Sequence, residues 1–194
     1  MKLLLHTCCA PCSIQCVESL GAEGIVPELF WYNPNIHPFT EYRRRRDTLR
    51  SFAEEKKLTL ITEDTYGLRF FITGISALED GADENMQDSG EDEGAKQRCI
   101  FCYRTRLEKT ASAAAERGFH AFSSTLLISP YQDHELIKQI GEELAEYYGI
   151  QFIYRDFRPL FRKGQKEARA ADFYMQKYCG CIFSEEERYL GTDS

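Results

Sequence analysis

Seven of the eight cysteines of this chain lie in three tight groups: Cys8-Cys9-x-x-Cys12, Cys99-x-x-Cys102 and Cys179-x-Cys181. A fold that uses them together must bring both ends and the middle of the chain to one place. Adjacent cysteines such as Cys8 and Cys9 cannot close an unstrained bridge, because a disulfide needs a narrow range of Cα separations and Cβ directions. Thiols at such short spacing instead converge on a metal or a cluster.

The count narrows the choice. Four thiolates complete a cubane or a structural zinc site. Seven point to two adjacent centres, or to one centre plus a redox pair. The glycine of Cys179-Gly180-Cys181 permits the sharp turn that aims both sulfurs inward. The plain alternative is a structural zinc holding three loops together. Cys16, one helical turn beyond Cys12, reads as a small buried hydrophobe.

At 194 residues the chain reads as a single catalytic domain, 1–194. Lys2 is followed only by Leu3-Leu4-Leu5 before His6, too short for a signal segment, and no apolar run approaches the roughly 20 residues that span a bilayer. A cytoplasmic protein with reduced thiols and no membrane partner is expected. The net charge of −7 is concentrated: residues 79–94 carry eight acids and no base, and without them 24 bases face 23 acids. That acidic stretch reads as a mobile loop within the domain. The bases cluster at Arg43-Arg44-Arg45-Arg46 and again from Arg155 to Arg169, which permits a phosphate-bearing partner without demonstrating one.

Hydrophobic patterning predicts five strands, at 2–6, 25–32, 58–62, 120–127 and 150–157. Helices are predicted from Pro11 to about Leu20, over 41–57 behind a Thr40 cap, and over 66–78, 99–117, 133–148 and 163–177. A last helix follows Ser184, whose Ser184-x-x-Glu187 spacing is a capping-box signature. Strands alternating with helices give an α/β fold with a parallel sheet of about five strands and helices on both faces. In such folds the ligand site lies beyond the carboxyl ends of the strands, near the switch point of strand order. The first cysteine group, between strand one and its helix, falls there.

The motifs, taken in order, resemble a known family. They are His6-Thr7-Cys8-Cys9-Ala10-Pro11-Cys12, Phe30-Trp31-Tyr32-Asn33-Pro34-Asn35-Ile36, Glu41-Tyr42, Arg98-Cys99-x-x-Cys102-Tyr103, Phe122-Ser123-Ser124-Thr125-Leu126-Leu127-x-Ser129-Pro130 and Tyr178-Cys179-Gly180-Cys181-x-Phe183-Ser184. Together they resemble the QueH-type epoxyqueuosine reductases over nearly the whole chain. The resemblance implies reduction of epoxyqueuosine to queuosine at the tRNA wobble position. It also implies a fold similar to the adenine-nucleotide alpha-hydrolase (HUP-like) type, and a [4Fe-4S] cluster beside a mononuclear iron. The family carries Cys or Asp at the position of Cys12, and this chain has the thiol. Where the family often shows Tyr-Arg-Gln, this chain has Tyr174-Met175-Gln176, one cation fewer.

Removing an epoxide oxygen to leave an alkene takes two electrons and two protons and releases water. No side chain supplies such electrons, so a cofactor and an external electron donor are expected. The resemblance makes Cys8, Cys9, Cys12, Cys99, Cys102, Cys179 and Cys181 the metal ligands. One partition gives the cubane Cys99, Cys102 and one sulfur from each of the pairs Cys8/Cys9 and Cys179/Cys181. The other member of each pair, with Cys12, then holds the single iron and leaves a position open. Tyr32, Tyr103, Tyr178 and His6 are candidate proton sources, with His6 equally suited to orienting a thiolate. Asn33, Asn35, Ser124 and Thr125 are candidates for reading the substrate, and Arg45 and Arg46 for holding anticodon-loop phosphates. Two competing readings are a non-catalytic, zinc-stabilised RNA-binding module and an ATP-using tRNA thiolase. Against the latter, the first loop lacks the glycine-rich amide cradle that holds pyrophosphate.

Overall fold

A computed structural model describes residues 1–80 and 91–191, the side chains of 79, 80 and 91–94 aside. Five parallel strands form one sheet: β1 (Leu3–His6), β2 (Glu28–Trp31), β3 (Leu60–Thr62), β4 (Ala121–Ser124) and β5 (Gln151–Phe152), in the spatial order β3-β2-β1-β4-β5. The expected α/β class is therefore observed. This order reverses between β1 and β4, so the switch point lies at the ends of those two strands. β1 is buried from end to end, as its Leu-Leu-Leu run requires for a central parallel strand.

Seven α-helices surround the sheet among the described residues: α1 (Ala10–Ala22), α2 (Phe39–Lys56), α3 (Leu68–Asp80), α4 (Glu91–Glu116), α5 (His134–Tyr148), α6 (Phe161–Ala170) and α7 (Ile182–Leu190). α1 packs on α2 and α6, while α4 packs on α3, α5, β1 and β4. The main core runs through β1, β2 and β4 into α1, α2, α4 and α5. None of the helices is long and apolar enough to cross a membrane.

Several boundaries differ from the sequence expectation, each for a local reason. Strand four stops at Ser124, whose Oγ accepts from Leu126 N and starts a 3-10 turn over Thr125–Ile128. α2 begins at Phe39 behind Pro38, so Thr40 is inside the helix and caps nothing. α6 ends at Ala170 because Asp172 takes a left-handed backbone (φ 55°) and Phe173 N turns back to Ala168 O. The segment expected to continue that helix to Lys177 thus runs free toward the thiols. α7 is capped by the Cys181 sulfur, which accepts from Ser184 N at 3.3 Å, and not by Ser184. The acidic stretch 79–94 is helical at both ends, in α3 and α4, and its middle, 81–90, lies outside the described residues.

Candidate metal and substrate site

β1 delivers the chain to Thr7 and the first thiol group at the switch point. Pro11 sits in the first turn of α1, where a missing N–H costs nothing. The turn gathers the Cys8, Cys9 and Cys12 sulfurs within 4.8 Å of one another, all buried. Cys8 is fixed from the other side of the switch point, its amide donating to Thr125 Oγ1 at 3.3 Å. Cys16 is fully buried one turn further on, as a packed hydrophobe would be.

The remaining four thiols form a second group. Cys99 and Cys102 lie one turn apart on α4, and the Cys179 and Cys181 sulfurs stand 3.8 Å apart before α7. Cys102 and Cys181 share a small apolar cluster with Phe71, Ile75, Phe101 and Phe183. Cys99 and Cys179 reach the surface. Among the described residues, the potential metal ligands that gather as a group of three within 4.8 Å of one another are Cys8, Cys9 and Cys12.

Two buried guanidinium groups join the assembly. Arg45 was expected to meet phosphate, but it is 1% exposed. Its Nε donates to Glu41 at 2.6 Å, and Nη1 and Nη2 donate to the carbonyls of Cys179 and Tyr178, both at 2.9 Å. It fastens the third thiol loop and leaves no face for a phosphate. Glu41 also accepts from the Tyr174 hydroxyl. Gly180 completes the loop at φ 127°, with Ile36 and Arg45 3.0–3.1 Å from where a Cβ would sit. Arg106, one turn beyond Cys102 on α4, donates from Nη2 to the Cys102 sulfur at 3.1 Å.

The sulfurs polarise one another. Hydrogen bonds from Cys12 and Cys9 hold the Cys8 thiol well below its usual range. Cys12 is pushed up as the donor to Cys8, and burial pushes Cys9 up. In the second group Cys179 falls to about 6, through its contacts with the Cys181 sulfur and then Ser184 Oγ. Burial lifts Cys102 to about 12 and raises Cys99. Each group thus pairs a thiol held below the ordinary range, Cys8 or Cys179, with neighbours held above it. This suits metal uptake, which replaces protons by the ion. In the first group the spacing fits one ion as well: the Cys8 and Cys9 sulfurs stand 3.8 Å apart, and metal–sulfur bonds near 2.3 Å put tetrahedral ligand sulfurs about 3.8 Å apart.

The other expected site residues fall around this assembly. His6 Nδ1 lies 2.9 Å from Ser124 Oγ and Nε2 lies 3.2 Å from Tyr32 O, and burial lowers its pKa to about 4. It is a neutral post between β1, β2 and β4. Ser124 and Thr125 are wholly buried and their hydroxyls already partner His6 and Cys8, so neither is left unpartnered for a substrate. Asn33 Nδ2 donates to Thr7 O at 2.9 Å. Tyr178 donates its hydroxyl to His37 O at 2.5 Å, and Tyr103 accepts from Asp133 N at 3.3 Å. Burial raises both phenols, and raises Tyr32, whose hydroxyl has no hydrogen-bond partner among the described residues. Arg46 is tied to Asp64 at 2.7 Å and to Asp47 at 2.9 Å, so it is largely spoken for.

Sequence reasoning missed three residues. Arg106 carried one usable signal, its place one turn after Cys102 on a thiol-bearing helix. Gln176 donates to Cys12 Sγ at 3.4 Å from a distant segment, and His37 is buried with neither ring nitrogen bonded. Nothing local marks His37, and Gln176 is marked only as the end of the Tyr174-Met175-Gln176 segment. Among the described residues, the buried side-chain polar atoms without partners are Asn33 Oδ1, Asn35 Oδ1, Gln176 Oε1 and the His37 nitrogens. Four of these five atoms belong to the loop after β2, and the fifth is carried by the side chain that touches Cys12.

Comparison with known proteins gives a consistent result. A family model described as epoxyqueuosine reductase QueH matches residues 3–187. The chain is 37% identical over 188 residues to epoxyqueuosine reductase QueH of Dehalococcoides mccartyi, covering 97% of this chain and 94% of that protein. It is 36% identical over 189 residues to the Histophilus somni protein of the same name, covering 94% and 72%. It is 35% identical over 188 residues to that of Thermotoga maritima, covering 96% and 91%.

Proposed function

The chain belongs to the epoxyqueuosine reductase QueH family, and from that premise we propose how its thiols and polar groups reduce epoxyqueuosine to queuosine in tRNA. The observation that carries the reading is the gathering of three buried thiols, Cys8, Cys9 and Cys12, beside the switch point of the sheet. Cys8, Cys9 and Cys12 would hold a single iron, because their mutual spacing suits one ion. Cys99, Cys102, Cys179 and Cys181 would hold a [4Fe-4S] cluster, for which four thiolates are the full set. When bound, these groups supply electrons one at a time and a Lewis acid for the epoxide oxygen.

The chain's own groups do the rest. Neutral His6 sets the spacing of the strands that carry the first thiol loop. The unpartnered oxygens of Asn33, Asn35 and Gln176 are acceptors, and they suit a ligand rich in N–H and O–H donors, such as the edge of a modified guanine and a cyclopentane diol. Burial keeps the Tyr32, Tyr103 and Tyr178 phenols protonated, so each is a proton source and none a base. The Tyr32 hydroxyl has no partner among the described residues and the Tyr103 hydroxyl only accepts, and the more exposed Tyr32 is the favoured donor of the proton that leaves with the epoxide oxygen. The wobble nucleoside must be splayed out to reach these groups, since a stacked base is out of reach. The electron donor is an external reductant.

The deciding experiment reconstitutes the protein anaerobically, measures iron and sulfide per chain, and supplies dithionite with epoxyqueuosine-bearing tRNA. Conversion to queuosine by protein holding both iron and sulfide is the expected result. Zinc without sulfide, and no conversion, would instead favour the zinc-stabilised RNA-binding module.

A further inference from the structure

Arg45 and Arg106 are both buried, yet their surroundings differ in kind. Arg45 has the Glu41 carboxylate at 2.6 Å. Arg106 is 3% exposed and forms no ion pair with a carboxylate among the described residues. Its contacts are Nε to Cys102 O and Nη2 to Cys102 Sγ, both at 3.1 Å, and the face of Tyr103 at 5.9 Å. A guanidinium buried without an anion costs several kcal/mol. The anion that would offset this cost is the Cys102 thiolate of a loaded centre, whose sulfur Arg106 touches.

We propose that Arg106 is the counter-charge of the thiolate centre that includes Cys102, a positioning residue that eases its reduction. This rests on the reading above that the thiols hold iron and sulfide. Each electron added to a thiolate-bound centre adds negative charge in a place of low dielectric. A fixed cation a few ångströms away offsets that charge far better than water at the surface does. An N–H···S hydrogen bond to a ligand sulfur acts in the same direction, and is one of the protein's recognised means of setting cluster potentials. Arg45 cannot take this role, since Glu41 already neutralises it.

The test compares wild type, Arg106→Gln and Arg106→Lys after anaerobic reconstitution, with iron and sulfide counted first. The cluster is then titrated with dithionite through redox mediators, and followed by electron paramagnetic resonance. Arg106→Gln should be at least tenfold harder to reduce, about 59 mV for one electron. Arg106→Lys, which keeps the charge, should stay within about threefold of wild type. Loss of iron from the Gln variant alone would support the same need for charge during assembly. An unchanged equilibrium in a fully loaded Gln variant overturns the proposal, as do equal shifts or equal iron loss in both variants, which would mark a packing role. Failure of the wild type itself to take up iron and sulfide would take down the functional reading first and this inference with it.

Discussion

Cys12 is the residue on which the division of the thiols turns. It shares a turn of α1 with Cys8 and Cys9, and its sulfur alone of the three receives an amide from across the site, that of Gln176. Cys12→Ala should lose about one iron per chain and lower turnover more than about a hundredfold, while the visible absorption of the four-thiol cluster persists. Loss of the whole absorption would sink the three-and-four grouping. Tyr32→Phe should lower turnover by about 10²–10⁴ at unchanged iron content, and wild-type turnover in that variant would remove Tyr32 as proton donor. His6 argues through linkage. Its folded pKa of about 4 lies below the ordinary 6.5, so between those values the unfolded chain binds a proton that the folded chain does not. Its contribution is complete above pH 6.5 and fades as the pH falls toward 4, by about 3 kcal/mol in all. Urea unfolding of the metal-free protein at pH 7 and 4.5 should show that loss, reduced in His6→Gln. Equal losses in both proteins would contradict it. At this scale the sequence was partly legible. Seven cysteines announced themselves by spacing, whereas Gln176 and His37 act only through contacts made by folding. Arg45 could have been read correctly: it falls on the stripe of Tyr42, Leu49, Phe52 and Ala53, so the helix buries it.

Elements set how closely the two thiol groups approach. α3 and α4 meet at Gly74, where an added Cβ would lie 2.2 Å from the end of the Phe101 ring, itself flanked by Phe70 and Phe71. Phe101 separates Cys99 from Cys102 in sequence, so pressure there reaches the four-thiol group. Gly74→Ala gains up to about 1 kcal/mol of helix propensity and costs about 1–3 kcal/mol of overpacking, and the second term should win. Gly21 has nothing within 4 Å of its virtual Cβ, so Gly21→Ala should stabilise by about 0.4–1 kcal/mol. Thermal melts that moved both variants the same way would mean that contact at Gly74 is not decisive. The existence and order of the elements were legible because alternation and helical spacing are local properties. Their ends were not. α7 starts on a cysteine sulfur and α6 stops at a left-handed Asp172, and both depend on how the 171–184 segment is drawn back over the thiols.

At the scale of the molecule, the question is how a chain of net charge −7 meets an RNA. Charge is local at physiological salt, because the Debye length is only about 8 Å. Eight of the acids sit in residues 79–94, and the bases elsewhere nearly balance the remaining acids. Of the arginine run at the start of α2, Arg45 is buried and Arg46 is paired with Asp64, which leaves Arg43 and Arg44 exposed. Arg44 stacks over the Tyr174 ring at 5.6 Å, and Tyr174 bonds the same Glu41 that holds Arg45 and, through it, the Cys179 loop. Arg44 therefore stands next to the Cys179 loop, with Arg43 beside it in the helix, and the proposed function predicts that anticodon-loop phosphates meet this pair. Replacing both by Glu should weaken binding of substrate tRNA and lower the slope of log affinity against log salt by about 1.4, the value for two single-strand phosphate contacts. Filter binding across 50–200 mM salt measures this. The same substitutions leave Arg45 and Glu41 in place, so iron content should not change. An unaltered slope with intact iron would move the RNA-binding face away from α2, toward the second basic cluster between Arg155 and Arg169.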